Sequence, residues 1–478
     1  MTLVKKIAYN TIISTGARLM GVALSLITIG FVARYLGKDG FGSYSLILAF
    51  LYTFDSLADL GLYSLMVREI SRPEVDEKKV VSNIFTIRVV ALLLLMVIAS
   101  LVIWVFPYSD QVKSGTMLAA ISFLFLSMGQ VLMGIFQKYL RTDKSAIADI
   151  LGRVIQFIIV IIVIKLGFGF YGIIVSLILG CLVNFLFLFA FAKHYVKFSL
   201  EFDFVYWKKL IKATIPIAVS IVLTLIYFKI DSIFLSIPAI NNNSPSPMSD
   251  VGLYGIAYRI LEGLIFFPAM FVGLIMPLLS ASAFNDKEKF NRIFQKTLDI
   301  LFVFIVPLII GILILSSQIV VLIGGNDFAG SSGPLNILAI AIGLIFLGSL
   351  FGNSIIALDK QKIGAWIYFA GMIFNIITNI IFIPKYRYIG AAWTTTVTEL
   401  LVTTLMFVLV YKTIHYFPKF RIIRPLIAGG VMAGFLYLFS GLNVILLIGG
   451  ALIVYLVALY LIGGIKKEEI QLLTEKEI

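Results

Sequence analysis

Apolar residues fill almost the whole chain in long blocks, and charged residues gather in the short stretches between them. Fourteen such blocks can be drawn, at 9–33, 42–66, 81–106, 116–139, 146–165, 169–192, 211–236, 251–281, 297–323, 334–357, 362–383, 388–411, 423–440 and 443–464. A helix rises about 1.5 Å per residue, so each block is long enough, or nearly so, to cross a hydrocarbon core of about 30 Å. The pattern predicts an all-α polytopic membrane protein with 14 transmembrane helices. Only Gly441 and Leu442 separate the last two spans. Residues 199–212 mix Phe202, Phe204, Val205, Trp207 and Leu210 with charges, the pattern of an interfacial helix before span seven.

Composition sharpens this picture. The 478 residues are 60% hydrophobic and 13% charged, against about 25% charged in soluble domains. The net charge of +13 arises from lysines and arginines in short connections, a membrane-topology pattern rather than a nucleic-acid footprint. Of the 38 basic residues, 27 fall in alternate connections counted from the amino terminus. The intervening connections hold six: Arg34, Lys38, Lys113, Lys165, Lys385 and Arg387. The bias predicts a cell-membrane protein with both termini in the cytoplasm. Lys5 and Lys6 precede an apolar segment too long for a signal peptide, so the first span is expected to persist.

Cys181 is the only cysteine, which excludes an intrachain disulfide and a thiolate metal cluster. His194 and His415 lie in connections, and neither an HExxH nor a GxxxxGK[ST] pattern occurs. The longest external connection, 241–250, carries one acid, Asp250, too little for a glycosyltransferase or polymerase site. The protein is therefore expected not to be an enzyme. No resident cofactor is expected.

The two halves repeat. Phe41-Gly42-Ser43-Tyr44 opens span two and Val251-Gly252-Leu253-Tyr254 opens span eight, 210 residues later. Asp143-Lys144 and Tyr171-Gly172 correspond to Gln361-Lys362 and Ile389-Gly390 at an offset of 218. Spans one to six thus match seven to twelve as a parallel repeat, a design that places substrate between two lobes. The expected division is a six-helix lobe over 1–198, a second over 199–414, and two extra helices with a cytoplasmic tail over 415–478.

Polar residues inside the spans are the candidate chemistry. Arg18, Arg88 and Arg153 fall at similar depth in spans one, three and five, where a charge costs about 2.5–3.5 kcal/mol or more. Such a basic layer suits an anion, with Gln130 and Gln156 as further hydrogen-bonding candidates in spans four and five. Asp55 and Asp59 share one face of span two, and Arg18 is the expected partner of one of them. Asp149 is placed to pair with Arg153 one turn on. In the second half, Lys229 and Asp231 in span seven and Arg259 and Glu262 in span eight suggest a brace of ion pairs. Glu399 lies within Thr394-Thr395-Thr396-Val397-Thr398, and Asn375 and Asn379 share a face of span eleven. These oxygens fit either a polar helix contact or coupling to H⁺ or Na⁺. Pro268, Pro277 and Pro307 are expected to kink spans eight and nine.

Three stretches carry a family resemblance. They are Tyr35-Leu36-Gly37 through Phe41-Gly42-Ser43-Tyr44 to Asp59-Leu60-Gly61-Leu62 and Arg68-Glu69-Ile70; Asp231 with Val251-Gly252-Leu253-Tyr254 and Ala257-Tyr258-Arg259; and Asn375, Asn379, Ile383-Pro384 and Ile389-Gly390-Ala391-Ala392. The chain resembles the polysaccharide-transporter branch of the multidrug/oligosaccharidyl-lipid/polysaccharide exporter superfamily, and within it the Wzx-type O-antigen flippases. The resemblance implies two pseudo-symmetric six-helix lobes in a V around a central cavity, plus two carboxyl-terminal helices. It also implies alternating access that carries a polyprenyl-diphosphate-linked oligosaccharide from the cytoplasmic to the outer leaflet, with the sugar in a basic cavity and the tail among membrane lipids. Polysaccharide polymerase and assembly proteins are candidate partners, and a monomer is expected. A cation-coupled multidrug antiporter and a lipid II flippase are the alternative readings.

Overall fold

A computed structural model describes residues 3–59, 61–72 and 75–464, and they are helical with no strand among them. The Lys5–Lys6 side chains and the carboxyl-terminal tail lie outside what can be described. Thirteen α-helices follow one another: α1 (Leu3–Asp59), α2 (Leu62–Ile70), α3 (Glu77–Val102), α4 (Asp110–Lys138), α5 (Thr142–Leu166), α6 (Gly169–Ala192), α7 (Phe204–Ser236), α8 (Pro247–Ser282), α9 (Lys287–Gly324), α10 (Ser332–Ala357), α11 (Gln361–Ile414), α12 (Ile423–Leu438) and α13 (Val444–Leu461). Among the described residues, ten helices are long and apolar enough to cross a membrane. The molecule is a multi-pass, all-helical membrane protein.

Two of these helices are too long for a single crossing. The 57 residues of α1 would extend roughly 85 Å, nearly three hydrocarbon thicknesses. It is broken at Gly37 (φ 66°, ψ 177°), a conformation nearly confined to glycine. Its two arms are 3–36 and 38–59; the predicted span 42–66 does not stay in one helix, since α1 ends at Asp59 and the span's last residues belong to α2. The 54 residues of α11 are likewise broken, at Arg387 (φ 54°, ψ −135°), between spans eleven and twelve. Pro268 and Pro277 lie inside α8 and Pro307 inside α9. Non-helical φ/ψ falls at Gly37 and Arg387.

Contacts divide the chain into two compact units. The first holds residues 1–255 with 383–387, and the second holds 256–382 with 388–478. The first unit therefore includes α7, the first turns of α8 and the break in α11.

The predicted interfacial helix does not form separately. Residues 199–203 are extended, and α7 then runs unbroken from Phe204 to Ser236. The cause is a polar stripe on α3 that captures the extended segment. The backbone N–H groups of Ser199, Glu201 and Asp203 donate to Ser82 Oγ, Thr86 Oγ1 and Asn83 Oδ1. Asn83 also accepts from Trp207 Nε1 at 2.9 Å and donates to Glu201 Oε2 at 3.2 Å. Asp203 caps α7. The Tyr206 backbone N–H and the Lys79 ammonium hold its carboxyl below the usual carboxylate range. Leu200, Phe202, Phe204 and Val205 stay exposed, as an interfacial sequence requires.

The second unit has a counterpart. Gln295 of α9 holds the segment leading to α12: its Oε1 accepts from the Lys419 N–H and Tyr416 Oη, and its Nε2 donates to the Lys419 carbonyl. Asn83 and Gln295 occupy similar places in the third and ninth spans. Asn83→Ala is expected to lower stability by about 1–3 kcal/mol, because it strands the Asp203 backbone N–H and the Trp207 indole N–H. Thermal unfolding in detergent measures this, with Asn83→Asp as the shape-conserving comparison.

Helices α12 and α13 pack on α9 through Ala428, Met432, Leu436, Leu447, Ala451 and Tyr455 around Leu315. The Tyr455 hydroxyl donates to the Val303 carbonyl at 2.8 Å, which satisfies its polar end in an apolar contact.

Candidate functional site

The first unit gathers most of the intramembrane charge. Asp55 and Asp59 lie four residues apart on the second arm of α1 and point to one side. Arg88 on α3 is fully buried against them, 0% exposed. Its Nη2 donates to Asp55 Oδ1 at 3.3 Å, to Ser127 Oγ, and to Gln130 Oε1 at 3.5 Å. Its Nη1 stands 2.9 Å from Asp59 Oδ1. Ser127 and Gln130 are three residues apart on α4, so one helix face supplies both acceptors. The cluster pins α1, α3 and α4 together.

This corrects two sequence expectations. Asp55 and Asp59 are taken by Arg88, not by Arg18. Arg88 does not share the accessibility of the other two arginines. Helix rotation decides such pairings, and a sequence gives the face of each helix without the neighbour it meets. Gln130 is drawn into the same cluster.

Arg18 and Arg153 are placed differently. Arg18 is exposed on the first arm of α1. Arg153 pairs with Asp149 one turn away on α5 at 2.9 Å, as the spacing predicts, and each side chain keeps about a third of its surface (36% and 31%). Gly21 of α1 lies beside this pair. A Cβ there would stand 3.2 Å from Asp149 Oδ2 and 3.3 Å from Arg153 Nε. Arg18 is one turn from Gly21, so the two guanidinium groups border the same stretch of α1. Gln156 lies one turn beyond Arg153 and is half-buried where α5 crosses α6 at Gly180. Arginine is suited to diphosphate oxygens because its planar fork offers paired donors that stay charged.

The remaining candidates are more dispersed. Asp231 is buried and accepts from the Tyr254 hydroxyl at 2.9 Å, which ties α7 to α8. Lys229 stands over the Tyr52 ring at 5.1 Å. Arg259 and Glu262 pair at 2.8 Å along α8. In the second unit, Asn379 Nδ2 donates to Asn375 Oδ1 at 3.0 Å, and Asn375 Nδ2 reaches Thr398 Oγ1 at 3.4 Å. Glu399 is buried one residue further along α11. Thr395 and Thr396 donate their hydroxyls to the carbonyls of Ala391 and Ala392, and Thr396 also reaches the Ile337 carbonyl of α10 at 3.2 Å. Among the described residues, no group of three or more His, Cys, Asp or Glu side chains could hold a metal ion.

Sequence reading missed a constellation at the break in α11. Arg387 pairs there with Asp250 through two guanidinium nitrogens, and Asn241 Nδ2 donates to the same carboxylate at 2.9 Å. Arg387 and Asp250 had registered only as connection charges. The available signal was weak: Asp250 is the one acid of the 241–250 connection, and Arg387 shares its short connection with Lys385.

Known proteins resemble the chain along most of its length. Two relatives carry provisional names. The low-salt glycan biosynthesis flippase Agl15 of Haloferax volcanii is 23% identical over 438 residues, 88% of each chain. An O-antigen transporter of Shigella flexneri is 26% identical over 391 residues, 77% of this chain and 89% of its own. Among solved structures, lipid II flippase MurJ in an inward closed conformation superposes with a TM-score of 0.75 at 19% identity, covering 94% of this chain and 98% of its own. The family model described as "Polysaccharide biosynthesis protein" matches residues 31–333, and the chain belongs to that family.

Proposed function

We propose that this protein is a flippase for a lipid-diphosphate-linked oligosaccharide, moving it from the cytoplasmic to the outer leaflet by alternating access for cell-surface polysaccharide biosynthesis. The observation that carries this reading is the pair Arg18 and Arg153, one exposed and one half-exposed, bordering one stretch of α1. Membership of a polysaccharide biosynthesis family and two relatives named as a glycan flippase and an O-antigen transporter support it. Arg18 and Arg153 bind the diphosphate, and Gln156 meets sugar hydroxyls at the same helix crossing. Arg88 and Gln130 act from behind, fixing the helices that carry the site.

The same reading sets the protein in the cell membrane, monomeric, with 14 crossings in two lobes over 1–198 and 199–414, two further helices, and both termini cytoplasmic. The charge bias of the connections supports that orientation. Glu399 with Asn375, Asn379 and Thr398 is the candidate for coupling to H⁺ or Na⁺, since hard oxygen donors suit either ion. Polymerase and assembly proteins of the same glycan are the partners.

Replacing Arg18 or Arg153 by Ala removes charge-assisted hydrogen bonds of about 1.5–3 kcal/mol each, so export is expected to fall by roughly one to two orders of magnitude. Surface glycan is measured in cells at matched protein level. Arg18→Lys keeps the charge without the fork and is expected to fall between. Normal export from all these variants, with drug efflux abolished by Glu399→Gln, would establish the antiporter alternative. Accumulation of lipid II on depletion, with surface glycan intact, would establish the lipid II alternative.

A further inference from the structure

The two matched motifs of the internal repeat meet each other. A Cβ on Gly42 would stand 1.8 Å from the Met248 carbonyl oxygen, and a Cβ on Gly252 would stand 2.1 Å from that of Lys38. Met248 is the counterpart of Lys38 and Gly252 the counterpart of Gly42, at the offset of 210. The second arm of α1 and the start of α8 therefore cross backbone to backbone, about a local two-fold axis between the glycines. Small residues permit such close approach, and little side-chain surface lies between the strands of contact.

Polar bonds surround the crossing. Ser246 Oγ donates to Asp39 Oδ1, and Asn243 Nδ2 donates to the Pro384 carbonyl at 2.7 Å. Asp250 is wholly buried and is held by Arg387 and Asn241, whereas the Arg387 side chain keeps 33% of its surface. Arg387 has φ 54° and ψ −135°, a conformation that an L residue holds only where its surroundings impose it. The ion pair to Asp250 sits at this strained residue, and its guanidinium end remains reachable by water.

We propose that the Gly42–Gly252 crossing and the Asp250–Arg387 ion pair form a releasable clasp that closes the outer face of the protein, with Arg387 as its latch. The words "outer face" rest on the orientation proposed above. The clasp itself rests on geometry alone. It opens when Arg387 lets go of Asp250 and the two glycine backbones part, and it recloses because only glycines fit at the crossing.

Ser45 offers the probe position. It is buried one turn below Gly42, against Gly255. In a Cys181→Ser, Ser45→Cys background, a membrane-impermeant maleimide is added outside intact cells, and labelling is read on the peptide carrying position 45. Asp250→Asn and Arg387→Gln are each expected to raise the labelling rate about tenfold or more, the effect of about 1.4 kcal/mol of lost latch energy. Arg387→Lys keeps the charge, loses the two-pronged pairing, and is expected to fall between; it carries the test if a neutral variant fails to accumulate. A disulfide formed between Asp39→Cys and Ser246→Cys is expected to suppress labelling in every background, and reduction to restore it. Equal rates with and without the latch, or undiminished labelling in the fully cross-linked protein, would overturn the clasp. Labelling that requires the reagent on the cytoplasmic side would overturn its outer placement. Glycan export is not read in this experiment, so its outcome is independent of the transported substrate.

Discussion

Arg88→Ala is expected to destabilise the protein by about 3–5 kcal/mol, the largest loss from any single charge removal in the first unit. The substitution leaves Asp55 and Asp59 facing each other with only Ser127 and Gln130 for company, and both carboxylates are largely shut from solvent (side chains 8% and 19% exposed). An uncompensated buried charge costs more than the pair was worth, so the loss appears as reduced thermal stability and abundance in the membrane. Arg88→Lys is not a rescue, because one ammonium cannot reach both carboxylates, the serine and the glutamine as the fork does. Neutralising the whole cluster, with Arg88→Gln, Asp55→Asn and Asp59→Asn together, is expected to recover much of the stability. Full stability of Arg88→Ala alone would refute the structural role and return Arg88 to the transport site.

The second large effect falls on backbone packing. Gly42→Ala is expected to cost at least about 1–3 kcal/mol, because its Cβ would meet the Met248 carbonyl at 1.8 Å and neither backbone can yield without moving its helix. Gly252→Ala is expected to behave alike. Two comparisons separate this from a general intolerance of substitution. At Gly255 the nearest atom is Ser45 Oγ at 3.0 Å, the end of a side chain that can turn, so Ala costs less there. Gly430 on α12 has nothing within 4 Å, and Ala there is expected to stabilise by about 0.5–1 kcal/mol through helix propensity. Thermal unfolding of the four variants in one detergent checks both the order and the change of sign.

These two cases mark what the sequence could and could not reveal. That Arg88 lies inside an apolar helix was legible from hydropathy, and the structure buries it fully. Its partners were not, because face arithmetic works inside one helix and the choice between Arg18 and Arg88 depends on how two helices are rotated. The Asp149–Arg153 pair was legible because it lies inside one helix. The apolar helices were legible, ten of them long enough to cross a membrane among the described residues, but the junctions were not: no apolar pattern announces that Gly37 and Arg387 break two long helices at one residue each. The interfacial segment was recognised by composition and misassigned in conformation, because the α3 stripe of Ser82, Asn83 and Thr86 that captures it lies more than a hundred residues away. The glycines were recognised as a repeat, and their mutual contact required the structure.

That contact is reciprocal. When residue i of one partner touches j of the other, and j touches i, the interface is isologous, the kind that closes a two-fold homodimer. Gly42 on Met248 and Gly252 on Lys38 satisfy this relation at the offset of 210. The reciprocity stops at the charge: the residue 210 positions before Asp250 is Gly40, so the acid that Arg387 grips has no match on the other side. A seam with two equivalent sides is thus held from one side only.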